Sequence, residues 1–426
     1  MIDPWTPAQV AAAAPDAASL SAARSLSSKW SDLGCDGSAL WGSCRGSGKA
    51  PYLAAVDLTG PAYRCSCPSR KFPCKHAVGL LLCWSEGRIP TGAAPEFVTE
   101  WIAGRAARAT AKPAVDATPD PATVERRTDR IAAGLGELER WLTDRITAGL
   151  GSVTHDTATY DAIAARMVDA QAPGVAATLR SLPALVASDP DWPAPLLAAY
   201  ARLHLLIRAF RDRDRLPDDL NVTVATHLGV PVRADDVRAR PSVRDHWQVL
   251  AVRTAEEGRL LARRAWLLGR DSGRWALLLD FAHGSAQFAT AAPIPGTIVD
   301  ADLHFHPGAA PLRALLGTQH GAPQPCPTPP ATDLDTALDG YAGALAADPW
   351  LRSWPMLLAD VTPTVTGGVW HVVDRAGRAL PVGGDDAARW RLLAVSGGQP
   401  VTVCGTWDGT ALIPVSVFDA AAVVST

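Results

Sequence analysis

The stretch Cys65-Ser66-Cys67-Pro68-Ser69-Arg70-Lys71-Phe72-Pro73-Cys74-Lys75-His76 decides how the first part of this chain folds. It joins a C-x-C pair to a C-x-H pair across six residues, so four soft or borderline metal ligands fall within twelve positions. Side chains two apart on an extended strand share a face, so Cys65 and Cys67 are expected to aim at one ion from one strand. Pro68 stops that strand, and Pro73 introduces a helix whose first turn carries Cys74 and His76. Three thiolates and a neutral imidazole around Zn²⁺ make a closed tetrahedral site with no position left for water, which is the chemistry of structural zinc. C-x-C lacks the C-x-x-C step of redox and iron–sulfur motifs, and a histidine ligand favours zinc over iron. Three thiolates outweigh the dication by one negative charge, which the helix N-terminus with Arg70, Lys71 and Lys75 is expected to offset.

Outward from the motif, residues 39–41 and 52–58 read as the strands of a β-hairpin, separated by the turn-forming Gly46-Ser47-Gly48. A third extended piece, 62–65, follows Gly60-Pro61 and leads into the ligands. After them, 77–86 is apolar almost all round and Gly87 is placed to end a buried helix. Upstream, Pro15-Asp16 followed by Ala17, Leu20, Ala23 and Leu26 reads as a short amphipathic helix. Eight cysteines include six between Cys35 and Cys83 at uneven spacing, a pattern that metal ligation explains better than bridges. Cys35, Cys44 and Cys83 are expected to pack in the small core, the alternative being a reserve ligand or a Cys44–Cys83 disulfide.

The pattern C-x-C-x6-C-x-H followed by a short apolar helix resembles the SWIM zinc finger, a ββα unit, and residues 41–48, 51–52 and 67–76 resemble bacterial SWIM proteins. The resemblance covers roughly the first quarter of the chain. It implies zinc binding at Cys65, Cys67, Cys74 and His76, with DNA or protein as the finger's ligand. It also implies work alongside a MoxR-type AAA ATPase and a von Willebrand A-domain protein.

A chain of 426 residues with 48% hydrophobic and 19% charged residues is expected to be globular and to hold two or three domains. The reading is a multidomain α+β protein: a finger with flanking helices over 1–108, a linker over 109–121, a helical region over 122–240 and a mixed α+β domain over 241–426. The linker is rich in Ala, Thr, Pro and Asp without periodicity. Ile131, Leu135, Leu138, Trp141, Leu142 and Ile146 mark one helix face, and Tyr200, Leu203, Leu206, Ile207 and Phe210 another. Beyond Pro241, short apolar runs at 248–252, 266–268, 275–281, 368–373 and 401–407 read as strands, with helical stretches at 333–347 and 385–393. No run near the roughly 20 apolar residues of a membrane span occurs, nor does a signal-like start, so a cytoplasmic protein is expected.

The net charge of −3 excludes attraction to nucleic acid by the chain as a whole. Locally, Arg45, Lys49, Arg64, Arg70, Lys71, Lys75 and Arg88 outnumber Asp57 and Glu86, and Phe72 and Tyr63 offer rings for stacking on bases, so DNA binding by the finger is one reading. Docking of a protein partner on Arg70, Lys71, Phe72 and Lys75 is preferred, because several of these cations are needed beside the thiolates. Asp300, Asp302, His304 and His306 alternate along a strand, which brings a metal-dependent enzyme site into view. With no glutamate base, G-x-S-x-G or P-loop beside them, they read as a polar strand face, and no enzyme is expected. The tryptophans of the last third read as core, or as a partner surface where they are exposed together. The expectation is a non-catalytic adaptor.

Overall fold

The computed structural model describes residues 4–15, 17–46, 50–59, 62–69, 73–110, 121–152, 157–188, 191–258, 260–283, 288, 290, 292–326, 329–419 and 422–425. The expected turns at 47–48 and 60–61 and the body of the linker, 111–120, lie outside them.

Helices α1 (Pro7–Ala13) and α2 (Ala17–Arg24) precede an antiparallel sheet, β1 (Trp30–Cys35), β2 (Ala39–Cys44), β3 (Tyr52–Asp57) and β4 (Ala62–Cys65), ordered as in the sequence. Helices α3 (Lys75–Ser85) and α4 (Glu96–Thr110) follow. Strand β2 is buried along its whole length because its alternation serves two layers. Leu40 joins Ala54, Val56 and the α3 residues Val78 and Leu81, while Ala39 and Trp41 join Ala55 and Val98 of α4. The expected hairpin is β2–β3, with Trp41 opposite Ala55, and the ββα unit is β3, β4 and α3. Gly87, at φ 68°, ends α3: its N–H donates to the Trp84 carbonyl and that of Arg88 to the Cys83 carbonyl, both at 2.9 Å. Strand β1 had no legible period, because an irregularity between Ser31 and Gly34, with Asp32 at φ 53°, breaks its alternation.

The middle region is helical as expected: α5 (Pro121–Ala148), α6 (Thr157–Asp169), α7 (Pro173–Ser188), α8 (Pro193–Arg211), α9 (Asp218–Leu228) and the short α10 (Ala234–Arg238). Ile131, Leu135, Leu138 and Leu142 of α5 meet Tyr200, Leu203, Leu206, Ile207 and Phe210 of α8 in one core, but Ile146 is 45% exposed, beyond that core. Where α7 starts against the end of α9, a Cβ on Gly174 would lie 2.2 Å from the His227 carbonyl oxygen, so only glycine permits the contact.

The stretch 241–426 holds two sheets. The first contains β5 (Val243–Glu257), β6 (Leu260–Gly269), β7 (Trp275–His283), β8 (Thr297–Phe305) and β9 (Arg313–Gln319), with the two-residue β10 (Gln324–Pro325) at its edge. The order β8-β5-β6-β7-β9 closes because β9 pairs back onto β8, with β7 and β9 parallel and the other pairs antiparallel. The result is a small five-stranded barrel filled by Trp247, Val249, Leu267, Leu278, Leu303 and Phe305. After α11 (Leu334–Ala347), the second sheet is built from β11 (Trp354–Thr366), β12 (Val369–Val373), β13 (Ala379–Pro381), β14 (Val401–Trp407), β15 (Leu412–Asp419) and β16 (Ala422–Ser425). Helix α12 (Asp386–Ser396) packs on it through Leu392.

These parts are joined by specific contacts. Leu250, Trp266 and Leu268 of the barrel share a core with Leu357, Cys404, Val415 and Phe418 of the second sheet. Ile294, in the loop before β8, enters the finger's core beside Trp5 and Trp84. Trp350 enters the helical core and its indole N–H donates to the Arg202 carbonyl at 2.9 Å. Trp247, Trp266, Trp350 and Trp407 are buried core residues, as expected, whereas Trp275, Trp354 and Trp370 are half-buried and Trp390 is 60% exposed and touches Trp370 edge-on at 5.1 Å.

Candidate metal centre

Cys65 ends β4, and Cys67 lies beyond it in a bend. This corrects the expectation that one strand carries both sulfurs: regular pairing stops at Cys65 opposite Ala54, and Ser66 makes the last contacts, its N–H donating to the Leu53 carbonyl at 3.0 Å. Cys74 is the N-cap of α3 and His76 sits in its first turn, as the prolines implied. Cys74 and His76 are buried, and Cys65 and Cys67 are half-buried.

The three sulfurs and a ring nitrogen of His76 lie within 4.8 Å of one another. The Nδ1 atom of His76 is 3.7 Å from the Cys65 sulfur and 3.9 Å from the Cys74 sulfur. Ligand bonds near 2.3 Å in a tetrahedron put neighbouring ligand atoms about 3.7 Å apart, so the donor set fits Zn²⁺ in its geometry as well as its chemistry.

Backbone N–H groups offset part of the thiolate charge. The Cys67 N–H faces the Cys65 sulfur, the Ser69 N–H faces the Cys67 sulfur, and the Ala77 N–H, in the first turn of α3, faces the Cys74 sulfur. Of the expected cations, Lys75 is exposed, and Arg70 and Lys71 lie outside the described residues, as does Phe72. The Cys65 thiol donates to Cys74 and holds the Cys74 thiol down, to about 4. That same hydrogen bond, reinforced by burial, keeps the proton on Cys65, and burial raises Cys67 as well. Zinc supplies the positive charge that lets all three ionise. Tyr52 of β3 stacks on the His76 ring at 4.9 Å, a contact that the ligand spacing could not reveal.

All eight cysteines are free. Cys44 and Cys83 are buried packing residues, as preferred, and the Cys35 sulfur accepts the Gly37 N–H at 3.2 Å. Two of the counted cations, both exposed, are engaged by the protein's own groups. Arg64 donates to the Phe97 carbonyl at 2.7 Å, and Arg88 pairs with Glu86 at 3.0 Å while donating to the Ser27 carbonyl. Burial raises the Tyr63 phenol, and its half-buried ring packs against the finger's core.

The alternation at Asp300, Asp302 and His304 exists on β8, opposite the inward Val299, Ala301, Leu303 and Phe305. The side chains do not converge. Asp300 accepts from Arg244 at 2.9 and 2.8 Å, Asp302 faces His320 at 2.8 Å, and His304 meets the Arg240 carbonyl at 3.0 Å. His306 lies past the strand, where burial first and Arg313 second lower its pKa to about 4. These four residues do not bring ligand atoms within reach of one ion. A group that the sequence did not suggest, Asp245, His246 and Asp271, does come together. No spacing rule could find it, because residues 245 and 271 meet only once β5 and β6 pair and the turn after Gly269 folds back onto Asp245. The buried Asp245 carboxylate is already filled by four donors, the backbone N–H groups of His246, Asp271 and Ser272 and the Ser272 hydroxyl. It braces a loop and leaves no lone pair for a metal.

The described geometry is that of a zinc finger whose metal is structural in kind, set on a sheet and followed by a helical bundle. Residues 56–85 match the SWIM zinc finger family, and residues 126–228 match the SWIM-associated four-helix bundle domain. The second match assigns the middle region, for which the sequence reading had no motif. No curated protein and no solved structure matches the chain. No described helix is long and apolar enough to cross a membrane.

Proposed function

We propose that this chain is a non-catalytic adaptor whose zinc folds the finger and whose surfaces hold protein partners. The observation that carries the reading is the donor set: three cysteines and a histidine fill a tetrahedral shell, leaving zinc no position at which to bind or polarise a substrate. The pairing of such a finger with a SWIM-associated bundle supports an assembly role. Protein is favoured over DNA because two of the exposed cations, Arg64 and Arg88, are already engaged by the Phe97 carbonyl and by Glu86 with the Ser27 carbonyl, which leaves fewer free to meet phosphates. The partners to test first are those that the resemblance implies, a MoxR-type AAA ATPase and a von Willebrand A-domain protein.

The test mixes the purified full chain, zinc-loaded, with each candidate and follows co-elution on size exclusion, in parallel with a salt titration against single- and double-stranded DNA. A complex with either protein, lost in Cys74→Ser, supports the adaptor. Binding of DNA that weakens steeply with salt, with no protein complex, overturns it.

A further inference from the structure

The last third of the chain repeats one strand order twice. In the first barrel the strands run β5-β6-β7-β9-β8 and back to β5, antiparallel except for the β7–β9 pair. In the second sheet β11 pairs with β12 and β14, β12 with β13 and β14 with β15, and a parallel bridge from Val382 to Leu412 brings the end of β13 to the start of β15. Each unit has a long first strand shared between two neighbours, with a register shift between Val249 and Ala251 in β5 and between Leu358 and Val361 in β11. This is the connectivity of the OB-fold, a barrel whose second and third strands present a face to oligonucleotides or oligosaccharides.

Topology alone assigns no ligand, so the side chains on that face decide. On the first barrel Val252, Ala265 and Leu278 turn inward, which sets the alternate residues of β5, β6 and β7 outward in cross-strand rows. One end of the outer face, with Ala251, Trp266 and Leu277, is covered by the second sheet. Beyond that contact lie two rows, Arg253 with Arg264 and Leu279, then Ala255 with Ala262 and Phe281. Phe281 is 46% exposed, and its neighbours across the strands carry only methyl groups.

Charge and shape select the occupant. Glu257 takes Arg264 at 2.5 Å, so the exposed Arg253 is the cation left for a ligand among the described residues of these rows. One cation near one exposed ring matches what a nucleotide offers, a phosphate and a base. A sugar chain needs side-chain hydrogen bonds to its hydroxyls, and alanine and leucine supply none. A protein interface needs a broad patch, whereas Ala255, Leu260 and Leu279 are half-buried and leave a single ring exposed.

We propose that this face of the first barrel binds single-stranded nucleic acid, with a base stacked on Phe281 and a phosphate on Arg253. The site goes beyond the adaptor reading and gives the chain a ligand that the finger need not touch.

The probe is a fluorescein-labelled thymidine dodecamer, titrated by anisotropy into the zinc-loaded full chain. Binding should be saturable in the wild type, weaken at least fivefold in Phe281→Ala and Phe281→Leu, and persist in Phe281→Tyr, since only tyrosine keeps a stacking face. Leucine keeps the apolar bulk, so Phe281→Leu should melt with the wild type. With one phosphate contact the affinity should fall only about threefold between roughly 50 and 200 mM salt, a logarithmic slope of about −0.7, and Arg253→Ala should flatten it. Absence of saturable binding, equal binding by Phe281→Leu, equal competition by a DNA duplex or by maltohexaose, or loss of binding in Lys75→Ala but not in Arg253→Ala overturns the proposal. Complexes of the finger with proteins are read by co-elution, so this site can fail while they stand, and they can fail while it stands.

Discussion

Tyr52 lays its ring against His76, with centroids 4.9 Å apart and planes inclined by 37°. The pair ties strand β3 to a zinc ligand on α3, so sheet and helix orient the imidazole together. Aromatic pairs contribute about 0.5–1.5 kcal/mol beyond burial. Tyr52→Ala should therefore speed zinc loss to a chelator several-fold, whereas Tyr52→Phe should leave it nearly unchanged. A chelator-competition time course with a colorimetric zinc reporter checks both; equal rates in all three proteins would count against the coupling.

Zinc uptake should release about two protons at pH 7. Cys74, held down to about 4, is already ionised there, whereas Cys65 and Cys67 are raised and must give up theirs. The sign follows: raised thiols favour the metal-free, protonated site, so affinity falls as pH drops. With two protons displaced, it should fall about a hundredfold per pH unit near neutrality. Calorimetry in buffers of different ionisation enthalpy counts the protons; a release near zero would contradict the assignment.

Much of this centre was legible because its ligands are local in sequence. Twelve consecutive positions carry the four donors, and the prolines beside them announce where strand ends and helix begins. Cys67 was misplaced by one local detail, the bend of the chain at Cys67 itself, one residue after the last strand contact of Ser66. Several of the barrel's strands were legible, but the barrel was not, because its closure depends on β9 pairing with both β7 and β8, and no periodicity encodes which strands meet. For the same reason Asp300, Asp302 and His304 read as a shared face but not as side chains with separate partners: Arg244, His320 and the Arg240 carbonyl come from other strands and loops.

Helical and C-terminal parts are latched by His227, whose Nε2 is 3.0 Å from both Asp348 carboxylate oxygens, while Asp348 also accepts the Trp350 N–H at 3.0 Å. Asp348→Ala strands both donors and should cost about 1–3 kcal/mol. Thermal unfolding of the full chain measures it. If the variant melts with the wild type, the latch contributes nothing.

Gly174→Ala should destabilise the bundle by about 1–3 kcal/mol, since the new methyl meets the His227 backbone carbonyl at 2.2 Å and a backbone cannot rotate aside. Gly340→Ala, which meets nothing within 4 Å, should be neutral or stabilising. Urea denaturation of the two variants ranks them; the reverse order would show that the α7–α9 contact is looser than described.

The most direct test of a closed zinc centre is X-ray absorption at the zinc edge on the purified full chain. Cys65, Cys67, Cys74 and His76 predict a four-coordinate shell of three sulfurs at about 2.3 Å and one nitrogen at about 2.0 Å. A shell with fewer sulfurs, or with an oxygen from water in place of the histidine nitrogen, would contradict the structural role assigned to the metal.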